Sequence, residues 1–335
     1  MVRIFLISLF ACFLFSSTIA QTGFSSPASL ADSAQSILHL MKTIPDSLGP
    51  ASRLNKSRVW FVSALHTGLY GGSLLVLNEA WYKNYPKRGF TSFDDSKEWL
   101  QMDKIGHGWS AYNLSRASTA AWKWTGMSKR KSAIIGSSSG FAFLTVIEFL
   151  DAHSTRWGWS WSDIAANSVG TGLFLGQELA WSEQRIQFKF SFHRKNYNDE
   201  SLNNRSDQLF GKSWYERMLK DYNGQTYWLS ANFKSFFKQT NLPEWLNIAV
   251  GYGADGMHGG FDNISRDGNG TIVFDRTDIS RVRQFYLAPD IDLTKIRTNK
   301  RWLKTILLSL NSFKFPAPTL MLNSKGKWKF HPFYF

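Results

Sequence analysis

Residues 132–181, SAIIGSSSGFAFLTVIEFLDAHSTRWGWSWSDIAANSVGTGLFLGQELAW, read as two apolar helices separated by a polar, tryptophan-rich turn. Both helical stretches, Ser132–Leu150 and Asp163–Trp181, spread glycine, serine and alanine over an apolar background. A glycine inside a helix costs about 1 kcal/mol relative to alanine, so a surface helix normally avoids it. Gly136 with Gly140, and Gly172 with Gly176, stand at the small-xxx-small spacing that lets helix backbones approach closely. The pattern predicts tightly packed helices suited to a membrane.

Working outward, two more stretches fit the same bundle. VWFVSALHTGLYGGSLLVL, Val59–Leu77, carries no Asp, Glu, Lys or Arg and comes close to the ~20 residues that cross a bilayer. It equally suits a helix buried in a bundle. Ile105–Trp122 is the second helical stretch in chain order.

Beyond Glu183 the period changes. Ile186, Phe188, Phe190 and Phe192 alternate with Gln187, Lys189, Ser191 and His193, which predicts a strand. Similar runs begin at Leu246, Thr271 and Gln284, and TLML and KWKFHPFYF flank the hairpin loop Asn323–Gly326. The segment from Lys300 has helical periodicity. A terminal Phe335 after alternating aromatics resembles the last strand of an outer-membrane barrel, but few, irregularly spaced strands interrupted by helices make that the weaker reading. The expected fold class is α+β: an N-terminal bundle of about four apolar helices, a candidate for membrane embedding, then a mixed region with antiparallel strands. The expected divisions are a signal peptide at 1–20, a linker and short helix at 21–55, the bundle at 56–185 and the mixed region at 186–335.

The N-terminus, MVRIFLISLFACFLFSSTIA, has the basic start, apolar run and small-residue end of a secretory signal, with cleavage expected after Ala20. Cys12, the only cysteine, falls inside the apolar run, so ordinary cleavage is preferred to lipidation and the mature chain has no thiol for a disulfide or a thiolate metal site. A formal net charge of +14 in an exported chain points to a membrane lipid or another envelope component as partner, not to nucleic acid. No protein partner or cofactor is indicated.

Polar residues punctuate the apolar helices. MDKIGHGW, residues 102–109, puts Asp103 and His107 one turn apart around Lys104. Glu148 and Asp151 close the third helix, Arg156 lies in the turn, and Asp163 with Asn167 opens the fourth. The plain reading makes Asp103 and Asp163 first-turn acids stabilised by the helix dipole, His107 a satisfied core histidine and Arg156 the ion-pair partner of Glu148 or Asp151. The sharper reading rests on convergence. In an antiparallel bundle the second helix starts where the third ends and the fourth starts, so all these residues face one site. His107, Asp103, Glu148 and Asp163 are then the acid–base candidates, and Lys104, Asp151, Arg156 and Asn167 bind ligand, Arg156 as an anion contact. With one histidine and no HExxH-type motif, no metal is assigned. The segment DGNGTIVFDRTD from Asp267 has partial calcium-loop spacing, but Ile272 stands where a loop glycine is required, and a hairpin is expected.

EWLQMDKIGHGWSAYNLSR and IEFLDAHSTRWGWSWSDIAANSVGTGLF resemble the YfiM-like family of predicted bacterial periplasmic lipoproteins, over about residues 60–195. More distantly, Asp103, Lys104 and His107, then Glu148, Arg156, Asp163, Asn167 and Gly170, are similar to a motif of VanZ-like membrane proteins, with Asp151 where that pattern has Gln. The resemblance implies a bacterial envelope protein and brings no reaction with it. The expected function is a bundle with a polar pocket for an amphipathic or anionic envelope ligand. The alternative is a hydrolase or transferase acting on a lipid-linked or cell-wall substrate.

Overall fold

The computed structural model describes residues 50–80, 82 and 85–335. The expected signal peptide, Cys12 and most of the expected linker lie outside the described residues. The fold is α+β. Helices α1 (Lys56–Ala80), α2 (Met102–Trp124), α3 (Lys129–Asp151) and α4 (Trp161–Trp181) come first, followed by β1 (Ile186–Phe192). Two helices, α5 (Glu200–Phe210) and α6 (Trp214–Lys220), lead into β2 (Gln225–Asn232), a one-turn helix α7 (Phe233–Phe236) and β3 (Leu246–Asp255). A hairpin, β4 (Ile264–Arg266) and β5 (Ile272–Asp275), precedes β6 (Val282–Ile291), α8 (Arg301–Leu310), β7 (Ala317–Asn323) and β8 (Trp328–Tyr334).

The bundle core forms where α2 is wrapped by its neighbours, with Ala111, Leu114, Ala117, Ala121 and Trp122 packed against Val62 of α1 and Leu144 of α3. Gly136 and Gly140 act as their spacing predicts. A Cβ on Gly136 would lie 2.5 Å from the Thr119 amide nitrogen, and one on Gly140 would lie 3.2 Å from Leu114 Cγ. Gly172 and Gly176 do not: nothing approaches either within 4 Å. The buried positions of α4 are Asp163, Asn167, Gly170, Phe174, Gln177 and Glu178, and the Gly172/Gly176 pair falls outside that face. Among the described residues α3 is the one helix long and apolar enough to cross a membrane.

Six strands form one antiparallel sheet in the order β1-β2-β3-β6-β7-β8. Four strand spacings separate β2 from β8, about 19 Å in a flat sheet. Yet the Tyr334 hydroxyl lies 3.1 Å from the Thr226 hydroxyl and donates to Tyr286 at 2.7 Å, so the sheet is strongly curled. Its concave side holds Trp228, Tyr286 and Tyr334 together with the ion pair Lys189–Asp290 at 2.7 Å, both partners fully buried. DGNG belongs to the connection between β4 and β5, the expected hairpin.

Residues 99–101 form a left-handed turn without a glycine, with φ of 50° at Trp99, 50° at Leu100 and 66° at Gln101. The C-terminal half holds this turn in place. Tyr252 donates to the Leu100 carbonyl at 2.5 Å, the Trp99 amide donates to Gly260 O at 2.8 Å, and Arg283 donates to the Gln101 side chain at 2.7 Å. The chain leaves this turn directly into α2.

Candidate functional site

Lys104 organises the site. Its ammonium has three protons to donate, and it meets three carboxylates: Asp95 at 2.5 Å, Asp163 at 2.6 Å and Asp103 at 3.0 Å. Asp95 also accepts from the hydroxyls of Ser160 and Ser162, each at 2.6 Å. Ser160 in turn caps α4 by accepting from the Asp163 amide at 3.0 Å. Asp163 thus lies in the first turn of α4, as the plain reading expects. Asp103 likewise lies in the first turn of α2, as its second residue, and it accepts from the Tyr222 hydroxyl at 2.7 Å.

His107 lies one turn further along α2. Its Nε2 is 3.9 Å from Asp103 and 3.8 Å from Asp163, and its Nδ1 is 3.7 Å from Glu148. All three separations exceed hydrogen-bond length, and Nδ1 has no hydrogen-bond partner. The end of α3 and the starts of α2 and α4 therefore do converge. The side chains of His107 and Asp103 are 25% and 23% exposed, against 2% for Glu148 and 7% for Asp163, so the site opens to the outside at the histidine.

Two glycines flank His107 because α2 is wedged at this level. A Cβ on Gly106 would lie 2.7 Å from the Tyr227 hydroxyl of β2, and one on Gly108 would lie 3.4 Å from Phe188 of β1. Asp151, half-buried, accepts from Tyr82 at 2.7 Å. Asn167 is fully buried one turn after Asp163, and neither atom of its amide has a hydrogen-bond partner. Arg156 is not brought to the acids: it is exposed, and no ion pair among the described residues joins it to Glu148 or Asp151.

The electrostatics follow from burial working against charge. Burial pushes Glu148 up to about 8 despite the opposing His107, and pushes Asp151 up to about 6 against the hydrogen bond from Tyr82. Asp163 is also raised by burial, with His107 and Lys104 opposing. For Asp103 burial is outweighed by His107, Lys104 and the Tyr222 hydroxyl, and its carboxyl falls below the ordinary value. His107 goes the other way: burial would lower it, but Asp103, Asp163 and Glu148 hold it above the ordinary imidazole value.

Asp103, His107 and Asp163 present ligand atoms within 4.8 Å of one another, a set of oxygen and nitrogen donors suited to a divalent cation. The Lys104 ammonium already rests on both of these carboxylates, so the chain supplies a positive charge there itself. The arrangement offers a protonated carboxyl beside an imidazole, hence proton exchange, and an acid-rich mouth that favours a cationic or hydrogen-donating group.

Asp95, Tyr82 and Tyr222 were not singled out in the sequence. Asp95 stands in a polar loop without periodicity, and Tyr222 reaches Asp103 across 119 positions, a pairing that no local pattern signals. Among known proteins, residues 90–175 match a family described as Predicted periplasmic lipoprotein (DUF2279), a domain of unknown function, and the matched segment contains Asp95 and all eight sequence-derived candidates. No curated protein and no solved structure matches the chain. The family match supports an exported protein of the periplasm or cell envelope.

Proposed function

We propose that this envelope protein binds an amphipathic ligand whose polar head docks at the opening formed by His107 and Asp103, above the buried Glu148 and Asp163. The observation that carries the reading is the partly exposed imidazole: its Nε2 stands 3.8 Å from Asp163 and 3.9 Å from Asp103, its Nδ1 stands 3.7 Å from Glu148, all too long for hydrogen bonds, and Nδ1 has no hydrogen-bond partner among the described residues. Large apolar side chains stand beside the same residues. Phe149 follows Glu148 and is 52% exposed, Trp161 precedes Asp163 by two positions and is 70% exposed, and Phe90, 55% exposed, packs on Trp159. Exposed aromatic side chains close to the site in the chain suit a ligand with an apolar tail. The acid-rich lining favours a cationic head over an anionic one, since Arg156, the expected anion contact, is not brought to the acids. Calorimetric titration with dodecyltrimethylammonium and with dodecyl phosphate, both below micellar concentration, tests this. Binding of the amine alone, weakened at least tenfold in His107→Gln, is expected. Equal binding of both, or no effect of the substitution, removes the reading.

A catalytic role has one specific observation in its favour. Glu148, held protonated by burial, faces His107 across 3.7 Å, an arrangement able to pass a proton to and from a bound lipid-linked or cell-wall substrate. Glu148→Gln and Asp163→Asn separate the two readings: binding without turnover in both variants supports catalysis, and full function in both removes it.

A further inference from the structure

The curled sheet encloses charged groups beside its aromatic cluster on one side and exposes apolar side chains on the other. A water-exposed antiparallel sheet buries its apolar side chains and shows its polar ones. Here the concave side buries Lys189, Asp290 and Lys314, all fully enclosed, with Ser230 bonded to Asp290 at 2.6 Å. The convex side exposes Leu229 (40%), Ile248 (40%), Val250 (54%), Phe285 (47%), Leu287 (46%) and Phe330 (62%). The registers Val250↔Leu287 and Leu287↔Leu320 make these residues one continuous patch across neighbouring strands.

The ends of the patch change character. At one end stand Trp328 (65% exposed) and the exposed Lys325 and Lys327 of the β7–β8 loop. At the other stand Phe237 (59%) and Trp245 (42%), with exposed Lys238 and with Arg297, which pairs with Glu244 at 2.9 Å. Aliphatic middle, aromatic margin and basic edge follow the order of acyl chain, interface and anionic headgroup in a lipid leaflet. A second copy of this chain fits less well, because pairing would bring like basic edges together on a molecule of formal charge +14.

We propose that the convex face of the six-stranded sheet contacts the acyl chains of an envelope membrane, with the basic edges resting on anionic headgroups. The test uses the full chain carrying Cys12→Ser and a single new cysteine labelled with the environment-sensitive dye NBD, at Leu287→Cys, at Val250→Cys, or at Ser201→Cys on α5 as a control. With mixed phosphatidylethanolamine–phosphatidylglycerol vesicles, the first two labels are expected to shift to shorter wavelength and to be quenched by nitroxide lipid. The control should stay accessible to iodide. The double variant Val250→Asp/Leu287→Asp changes only exposed positions, and is expected to keep its near-ultraviolet circular dichroism while vesicle flotation falls at least fivefold. Iodide access at Leu287→Cys in vesicle-bound protein overturns the proposal. So does a spectral shift that follows protein concentration instead of lipid, which would assign the face to a second copy, and so does undiminished flotation of the double variant.

Discussion

A Cβ atom placed on Gly170 would lie 2.0 Å from the carbonyl oxygen of Gly108, so α2 and α4 touch through their backbones one residue beyond His107. The same helix carries Gly172, around which nothing lies within 4 Å. Gly170→Ala should therefore force the helices apart and cost about 1–3 kcal/mol. Gly172→Ala should be neutral or stabilise by up to about 1 kcal/mol through helix propensity. Urea midpoints of the two variants check this, and a loss of equal size at both positions would contradict the packing described.

Lys104 neutralises Asp95, Asp103 and Asp163 in a nearly enclosed setting. Removing the ammonium in Lys104→Met should destabilise by about 3–5 kcal/mol, because buried carboxylates lose their counter-charge. Adding Asp163→Asn should recover part of the loss. Chemical denaturation of the single and double variants measures the coupling, and simple additivity would refute it.

Glu148 titrates at about 8 in the folded chain, against an ordinary 4.5. The folded state therefore holds a proton that the unfolded state releases. The associated stability is whole below the ordinary carboxyl range and is lost as pH rises through about 8. Asp151, raised to about 6, acts in the same direction over a narrower window. Melting temperature should fall as pH rises from about 5 to about 8, and Glu148→Gln should flatten that decline. An unchanged slope in the variant would show that Glu148 is ionised at neutral pH.

Asn167 buries an amide with no hydrogen-bond partner. Asn167→Leu, close in volume, should raise stability by about 1–3 kcal/mol while weakening ligand binding at the neighbouring His107. Thermal unfolding with and without dodecyltrimethylammonium reads both effects. A loss of stability in the unliganded variant would mean that the amide has a partner in solution.

Much of this architecture was legible in the chain. Apolar runs bounded by polar turns located the helices, and alternation located β1, because those signals depend only on neighbours in sequence. Strand β2 escaped for a physical reason. Trp228 packs on the concave side and Tyr227 against Phe190 near α2, so both faces are covered and the alternation of polarity is blurred. Convergence of Asp103, His107, Glu148 and Asp163 followed from antiparallel helices ending together. Arg156 failed because a turn residue has no periodicity to fix its direction, and Gly172 with Gly176 failed because spacing fixes a helical face without naming what lies opposite.

The glycine-free left-handed turn at residues 99–101 stores about 1–3 kcal/mol at each residue, and its restraints come from Tyr252, Gly260 and Arg283. A nascent or clipped chain ending after α4 has every carboxylate of the acid cluster but nothing to hold the turn that aims α2. The site is thus a proofreader of its own synthesis: its geometry is withheld until the chain has been made as far as β6 and folded back, and a shorter chain stays silent.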